Sequence, residues 1–422
     1  MSVRISIVTA FPELVRSYLH TGILGRGAKS GKLEVSVVDI RDHATGEYRQ
    51  IDDYSFGGGG MVLMRGPLEE ALRGIASREE RYVVYPSPQG VPVYQEMIED
   101  LFRISGSRHL VIVCGRYEGV DERFVRENVD LEVSMGDFVL TGGELPALAI
   151  ADAVSRLEKG VVGKERAVEE DSFFSGMLDH PHYTRPANYE GDEVPEVLLG
   201  GNHEEIADYR RREAVSRTLA RRPDIIARAN IMPYLSHGVY VIEVHHPVLD
   251  RNGKKSATAI TGLDLHDIAR ACRTYGVKKH LVVTPLEAQR DMVKKIASHW
   301  LTGYGASFNP DRREAMALIK TFASIERALA WIEDKEKQAP FTIATTAKQN
   351  ARASHWLGLK REMLRNDAPA AFLFGTGGGL HEELLERADA VLTPILGGKD
   401  GYNHLSVRSA AAIILDRFFG FR

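Results

Sequence analysis

Cysteine is almost absent from this chain: Cys114 and Cys272 are the only two in 422 residues. Neither stands at ligand spacing from another, which argues against a zinc site and leaves a disulfide framework without a basis. Both lie in apolar text, so two buried thiols in a reducing, cytoplasmic setting are expected. No apolar run reaches the ~18 residues of a membrane span. The opening "MSVRISIVTAFPELV" lacks the long apolar stretch and small-residue cleavage site of a signal peptide, and its ISIV reads as a first buried strand. Two phosphate cradles, G-x-G-x-x-G and G-x-x-x-x-G-K-[ST], are also missing. Without the first of these and a ribose-binding acid after it, a nicotinamide dehydrogenase is disfavoured.

What is present fits an ordinary globular protein, 44% hydrophobic and 27% charged, and the length calls for two domains or more. The net charge of −4 conceals an asymmetry. Residues 1–230 carry 28 basic and 38 acidic side chains; residues 231–422 carry 26 and 20. Within the acidic half, Arg210, Arg211, Arg212, Arg217, Arg221, Arg222 and Arg228 crowd one segment. Such a cluster is either a solvated helix face or a phosphate-contacting patch.

The first 160 residues alternate apolar runs (ISIVTAF, LEVSVVDI, YVVYPSP, HLVIVCGRYEG, FVLTGG) with helical patterns such as Gln95–Ile104 and Asp121–Asn128. This predicts an α/β domain with a mainly parallel sheet. Ligands of such sheets bind at the carboxyl ends of strands. Three strand ends break into unusual loops: Tyr85–Gly90, Cys114–Gly119 and Ser134–Glu144. Polar, Pro- and Gly-rich text then fills much of 159–202, long enough for a functional loop. A helix is predicted from Ile206 to Arg222, and Pro233 and Gly238 mark a boundary at 231–238. From Val239 the α/β pattern restarts, with glycine-rich strand ends at Gly375–Gly379 and Gly397–Gly401. The texts "VLTGGELPALAIADAVSR" and "ILGGKDGYNHLSVRSAAAIILDR" suggest a loose duplication of one ligand-binding plan.

In the loop "SMGDFVLTGGE", Phe138 to Thr141 read as the end of a buried strand flanked by Gly136, Gly142 and Gly143. Glycine permits positive φ and close backbone approach. With no phosphate fingerprint beside it, the loop presents bare backbone to a ligand that is not a phosphate.

The motifs "VCGRYEGVDER", "GDFVLTGGELPA", "EDSF" and "LDHPHYTRP" occur in order, and over about residues 1–230 the chain closely resembles the bacterial tRNA (guanine-N1)-methyltransferase family. The second half, through "LDLHDIARACRTYG" and "NHLSVRSAAAIILDR", resembles more loosely another RNA methyltransferase of the same trefoil-knotted (SPOUT) superfamily. The resemblance implies two tandem knotted α/β domains, with a small helical subdomain ending the first. The implied division is 1–160 for the donor-binding domain, 161–230 for the loop and tRNA-contacting helices, 231–238 for a linker and 239–422 for the second domain. It implies S-adenosylmethionine as cofactor, bound by Tyr85, Pro86, Ser87, Pro88, Gly115, Tyr117, Glu118, Ser134, Met135, Gly136, Asp137, Phe138, Val139, Leu140, Gly142, Gly143 and Pro146. That molecule has a sulfonium and an adenine but no phosphate, which suits a loop of bare backbone.

By the same resemblance Asp171 is the general base for the guanine N1 proton and Arg156 steadies the guanine. Neutral guanine holds a proton on N1, so methylation there needs a base and a donor for the charge growing on O6. Taken alone, Asp171 also reads as a helix cap and Arg156 as an ion-pair residue. The implied substrate is guanine 37 of a tRNA anticodon loop. The implied assembly is a homodimer in which one subunit binds the cofactor and the other supplies the Asp171 segment.

The family has a magnesium ion proposed at the cofactor's methionine end, where Glu118 falls, but no ligand spacing here points to Mg2+. Asp179, His180 and His182 give a His-Pro-His text without further ligands, and no metal site is assigned. In the second half Gly375, Gly377, Gly378, Gly397, Gly398 and Leu405 are candidate cofactor contacts, and Asp267, Asp400, Asn403 and Arg408 are candidate chemical groups. That domain is either a second methyltransferase or a tRNA-docking module. A non-catalytic RNA-binding protein on this fold is the remaining alternative for the whole chain, disfavoured by the presence of both Asp171 and Arg156.

Overall fold

The structure is a computed structural model that describes residues 3–163, 171–174, 176–303, 308–397 and 402–420. It divides into two compact units, Met1–Phe174 and Ser175–Arg422.

The first unit is built on five parallel strands: β1 (Val3–Thr9), β2 (Leu33–Asp39), β3 (Arg81–Pro92), β4 (His109–Val113) and β5 (Leu131–Ser134). Their order is β2-β1-β4-β3-β5, and every pairing is parallel. Central strands β1 and β4 are covered on both faces, which is why they read as nearly continuous apolar runs. Alternate residues divide between two cores. Ile5, Ile7, Val84 and Ile112 pack on one face; Val8, Val83, Val111 and Val113 pack on the other. Helix α1 (Glu144–Arg156) follows β5 and buries Ala147, Leu148, Ile150, Ala151 and Val154.

Helix α2 (His203–Arg221) opens the described helices of the second unit, capped by Asn202, whose side chain accepts from Glu204 N at 3.1 Å. Met177, Val215, Ile226, Ala229 and Ile231 share one apolar cluster with Val239, Val241 and Phe372 of the second sheet. Buried Lys360 secures this segment by donating to Ile226 O at 3.2 Å and Ala229 O at 2.6 Å.

The second sheet contains β6 (Val239–Val244), β7 (Lys279–Val283), β8 (Ile319–Phe322), β9 (Phe341–Thr345), β10 (Ala353–Ser354), β11 (Ala370–Gly375) and β12 (Ala390–Leu392). Its order is β8-β7-β6-β11-β9-β12-β10, again parallel throughout. Without the edge strands β8 and β10, the second, first, fourth, third and fifth strands lie side by side, as in the first sheet. The duplication suggested by two glycine-rich texts is therefore matched by strand order. Helix α3 (Gly262–Thr274) packs in this unit with α4 (Trp356–Asn366) and the closing α5 (Val407–Phe419).

One reading is corrected. Phe138, Val139 and Leu140 are not the end of a buried strand; β5 stops at Ser134. The three are exposed, Val139 at 80%. Their apolar side chains belong to a cavity wall, so hydrophobicity alone misplaced them.

Candidate functional site

The expected loop at Tyr85–Gly90 lies within β3, where its register against β5 shifts between Pro86 and Val91; this stretch and the loops after β4 and β5 line a cavity of about 310 Å³. The two loops are joined by backbone. Gly143 N donates to Gly115 O at 2.9 Å, and Arg116 and Gly142 form an antiparallel bridge. A Cβ on Gly143 would lie 2.7 Å from Cys114 Cα and 2.8 Å from Gly115 N, so only glycine permits this approach. Gly136 turns at φ +138°, with its N–H donating to Ser134 Oγ at 3.2 Å. Tyr117, at φ 56°, bends the loop after β4 through the left-handed region that non-glycine residues seldom occupy.

Tyr85, Pro86, Ser87, Pro88, Gly115, Tyr117, Glu118, Ser134, Met135, Phe138, Val139, Leu140, Gly142, Gly143 and Pro146 line the cavity. Gly136 and Asp137 do not border it; they form the turn that carries Phe138 to the wall. Sequence reasoning missed Gln89, Arg116, Glu122, Glu132 and Thr141, which also line it.

Among the described residues Arg116 is the lining's one Lys or Arg, and it is already committed. Its guanidinium lies 3.2 Å from buried Glu144, donates to Thr141 O at 3.0 Å and stacks 4.1 Å from the Phe11 ring centroid. Glu144 also accepts from Thr9 Oγ1 at 2.8 Å. Against this spent cation stand Glu118, Glu122 and Glu132. Such a wall repels a phosphate and suits a ligand with positive charge. The cavity thus fits a sulfonium donor on two counts: backbone glycines that approach closely, and an acidic lining.

Burial pushes the Tyr85 phenol up to about 12, helped by Glu132, so it stays a neutral donor. The Cys114 thiol is likewise pushed up by burial, which removes it as a nucleophile.

Arg156 ends α1 and donates through Nη2 to Asp171 Oδ2. Both side chains are partly exposed, at 35% and 44%, so the pair adds little to stability. Neither borders the cavity. Two residues beyond Asp171, Phe173 holds φ 75°, an unusual backbone state for an aromatic residue.

The arginine cluster is partly neutralised. Arg211 and Arg212 pair with Asp208, and Arg222 with Asp224. Arg211 also donates to Tyr234 O at 2.8 Å. Asp179, His180 and His182 do converge, with their ligand atoms within 4.8 Å. The 2.8 Å hydrogen bond between Asp179 and His182 already accounts for much of that approach. Burial would raise the Asp179 carboxyl, but bonds from His182 and the His180 backbone outweigh it and hold it low.

A second cavity, about 980 Å³, opens at the equivalent strand ends of the second sheet. Gly375, Gly377, Gly378 and Leu405 line it, as do Asn403 and Arg408; Gly397 and Asp267 do not. Gly398 and Asp400 lie outside the described residues. A Cβ on Gly375 would meet Leu380 N at 2.4 Å. Asn403 donates to Ala347 O at 2.6 Å. Arg408 donates to Asp264 at 2.9 Å and lies 3.7 Å from Asp267. Asp264, which lines the cavity, and Thr261, which caps α3, were not foreseen.

Residues 3–228 match the family model described as tRNA (Guanine-1)-methyltransferase TrmD. The chain belongs to the tRNA (guanine-1)-methyltransferase family. A tRNA (guanine-N(1)-)-methyltransferase of Oleidesulfovibrio alaskensis is 44% identical over 430 aligned positions, covering 99% of both chains. The protein of that name from Nitratidesulfovibrio vulgaris is 42% identical, again across 99% of both. The one from Magnetococcus marinus is 53% identical but covers 54% of this chain and 90% of its own. Residues 238–420 match a second model, described as SAM-dependent RNA methyltransferase. This member of the tRNA (guanine-1)-methyltransferase family therefore carries two methyltransferase-like units, and two relatives align with it across both.

Proposed function

We propose that the first unit transfers a methyl group to N1 of guanine 37 in the tRNA anticodon loop. The observation that carries this reading is the acidic, glycine-walled cavity, in a chain of this family that also holds an arginine–aspartate pair. S-adenosylmethionine would lie in that cavity, held by the residues that line it, and supplies an electrophilic methyl group. Asp171 takes the N1 proton, and Arg156 both orients that carboxylate and offers positive charge to guanine O6. A single-stranded loop suits the chemistry because its bases can be extruded into a pocket.

In this reading the enzyme is a homodimer. Within one chain the Arg156–Asp171 pair stands apart from that chain's own cavity, which supports a site completed by the partner subunit's pair. We also read each sheet as a trefoil knot, on the basis of the family and the shared strand order. Residues 161–230 serve as the loop and tRNA-contacting helices, and 239–422 as a second donor-binding methyltransferase unit. A cytoplasmic location follows from the tRNA substrate. Among the described residues no helix is long and apolar enough to cross a membrane. A magnesium ion near Glu118 has no support beyond the resemblance.

The test is transfer of labelled methyl groups from S-adenosylmethionine to tRNA transcripts with guanine or adenine at position 37. N1-methylguanine formed in the first transcript and not in the second supports the reading. Its absence from the first, or its equal formation in both, refutes it.

A further inference from the structure

A buried polar chain runs from the core of the second unit to its cavity, and nothing among the described residues of the first unit corresponds to it. Glu243 on β6 is fully buried. Its two carboxylate oxygens meet two imidazoles: Oε1 lies 3.1 Å from His245 Nε2, and Oε2 lies 3.0 Å from His280 Nε2. An ionised carboxylate only accepts, so both imidazoles donate through Nε2. That leaves Nδ1 of His245 as an acceptor. It faces Thr258 Oγ1 at 3.0 Å and Thr376 Oγ1 at 3.4 Å. Thr376 spends its proton on Val244 O at 3.0 Å. Thr258 Oγ1 also lies 2.5 Å from Thr376 Oγ1, so the single Thr258 proton is shared between Thr376 Oγ1 and His245 Nδ1. His245, Thr258 and Thr376 all line the 980 Å³ cavity, and Thr258 is half-exposed there.

A structural role alone explains this poorly. Buried ionic groups are costly, and well-packed apolar residues usually replace them without loss. Here the charged end lies in the core and the hydroxyl end lies in a cavity, as in a relay. His280 Nδ1 has no hydrogen-bond partner among the described residues, so the network is not completed for stability's sake. In the first unit the equivalent strand ends instead at Thr9, bonded to Glu144. Asp264, Glu382 and Glu386 also line the second cavity; Asp264 is held by Arg408 at 2.9 Å and Thr261 at 2.6 Å.

We infer that Glu243, His245 and Thr258 form the proton acceptor of a second methyl-transfer centre, one that acts on an O–H or N–H group of an RNA nucleotide. This rests on the reading that the second cavity holds S-adenosylmethionine. As the new C–O or C–N bond forms and the donor's C–S bond breaks, the acceptor's proton passes to Thr258 Oγ. The proton of Thr258 passes to His245 Nδ1, and Glu243 stabilises the resulting imidazolium through Nε2–H. Burial alone would push the Glu243 carboxyl up, but the His245 and His280 hydrogen bonds outweigh it and hold it below the usual range. His280 and the Cys272 thiol are the other titratable groups facing this carboxylate.

The test uses the full chain with Asp171→Asn to silence the first centre, and RNA from cells lacking this gene. Calorimetry first counts S-adenosylmethionine per chain. Two equivalents are expected; one equivalent refutes the donor reading itself. Transfer into a nucleoside other than N1-methylguanine is expected to persist. Adding His245→Gln should cut it ~100-fold or more and leave two donors bound. Thr258→Val should do the same. His280→Gln disturbs the same carboxylate without touching the cavity and should retain most transfer. Two donors bound with no residual transfer, an unchanged rate in His245→Gln, or equal losses in His245→Gln and His280→Gln would each overturn the relay.

Discussion

Arg156 and Asp171 of one chain hydrogen-bond to each other outside the cavity that the same chain's loops enclose. In the proposed mechanism the base and its cation are therefore a preassembled pair, and the donor pocket is a separate construction. Asp171→Asn keeps the shape of the side chain but cannot take a proton. It should retain donor binding by calorimetry and lose single-turnover transfer to guanine 37 by ~100-fold or more. Near-normal transfer would remove Asp171 from the mechanism.

The pocket can be broken independently. In Gly143→Ala the new Cβ would stand 2.7 Å from Cys114 Cα, a backbone atom that cannot rotate away. We expect the first donor equivalent to vanish and stability to fall by about 1–3 kcal/mol, the scale of overpacking. Calorimetry and thermal unfolding report the two effects separately. Undiminished binding would show that the Gly115–Gly143 contact does not shape the pocket.

These two defects should complement each other if the site is shared. Gly143→Ala and Asp171→Asn chains, mixed equally and exchanged, should recover about a quarter of wild-type turnover, since half the dimers then carry one intact site. Verified exchange without recovery would show that pocket and pair act within one chain.

Tyr85 sets an alkaline limit on the first unit. Its folded pKa is raised to about 12 by burial, with Glu132 adding to the shift. A raised value means the contribution is complete below the unfolded pKa near 10 and is lost as pH climbs toward 12. Stability should fall by about 1.4 kcal/mol per pH unit in that window from this group. Tyr85→Phe should remove that part of the slope in denaturant titrations; an identical slope would contradict it.

Helix α5 separates packing from binding at adjacent alanines. Ala411 is fully buried, whereas Ala410 lines the second cavity. Ala411→Leu should cost on the order of 1–3 kcal/mol by overpacking. Ala410→Leu should leave the melting temperature near wild type and weaken the second donor equivalent. The reverse pattern in melting and calorimetry would overturn this division.

Local text determined much of this protein. Nearly continuous apolar runs such as ISIV and HLVIV mark strands buried on both faces, and glycines cluster where strand ends meet a ligand. Those signals are local because burial and backbone freedom act residue by residue. They also mislead locally: Phe138 to Leu140 look like core because a cavity wall and a core use the same side chains. Tertiary structure alone decided what depends on distant partners. Glu144 neutralises Arg116 only because the Cys114 and Gly143 loops touch, and no spacing announces that pair. Glu243 meets His280 across two strands, 37 positions apart, so the buried relay has no motif at all. Charge pairing and proton paths are set by distances through space, and those distances exist only once the sheets have formed.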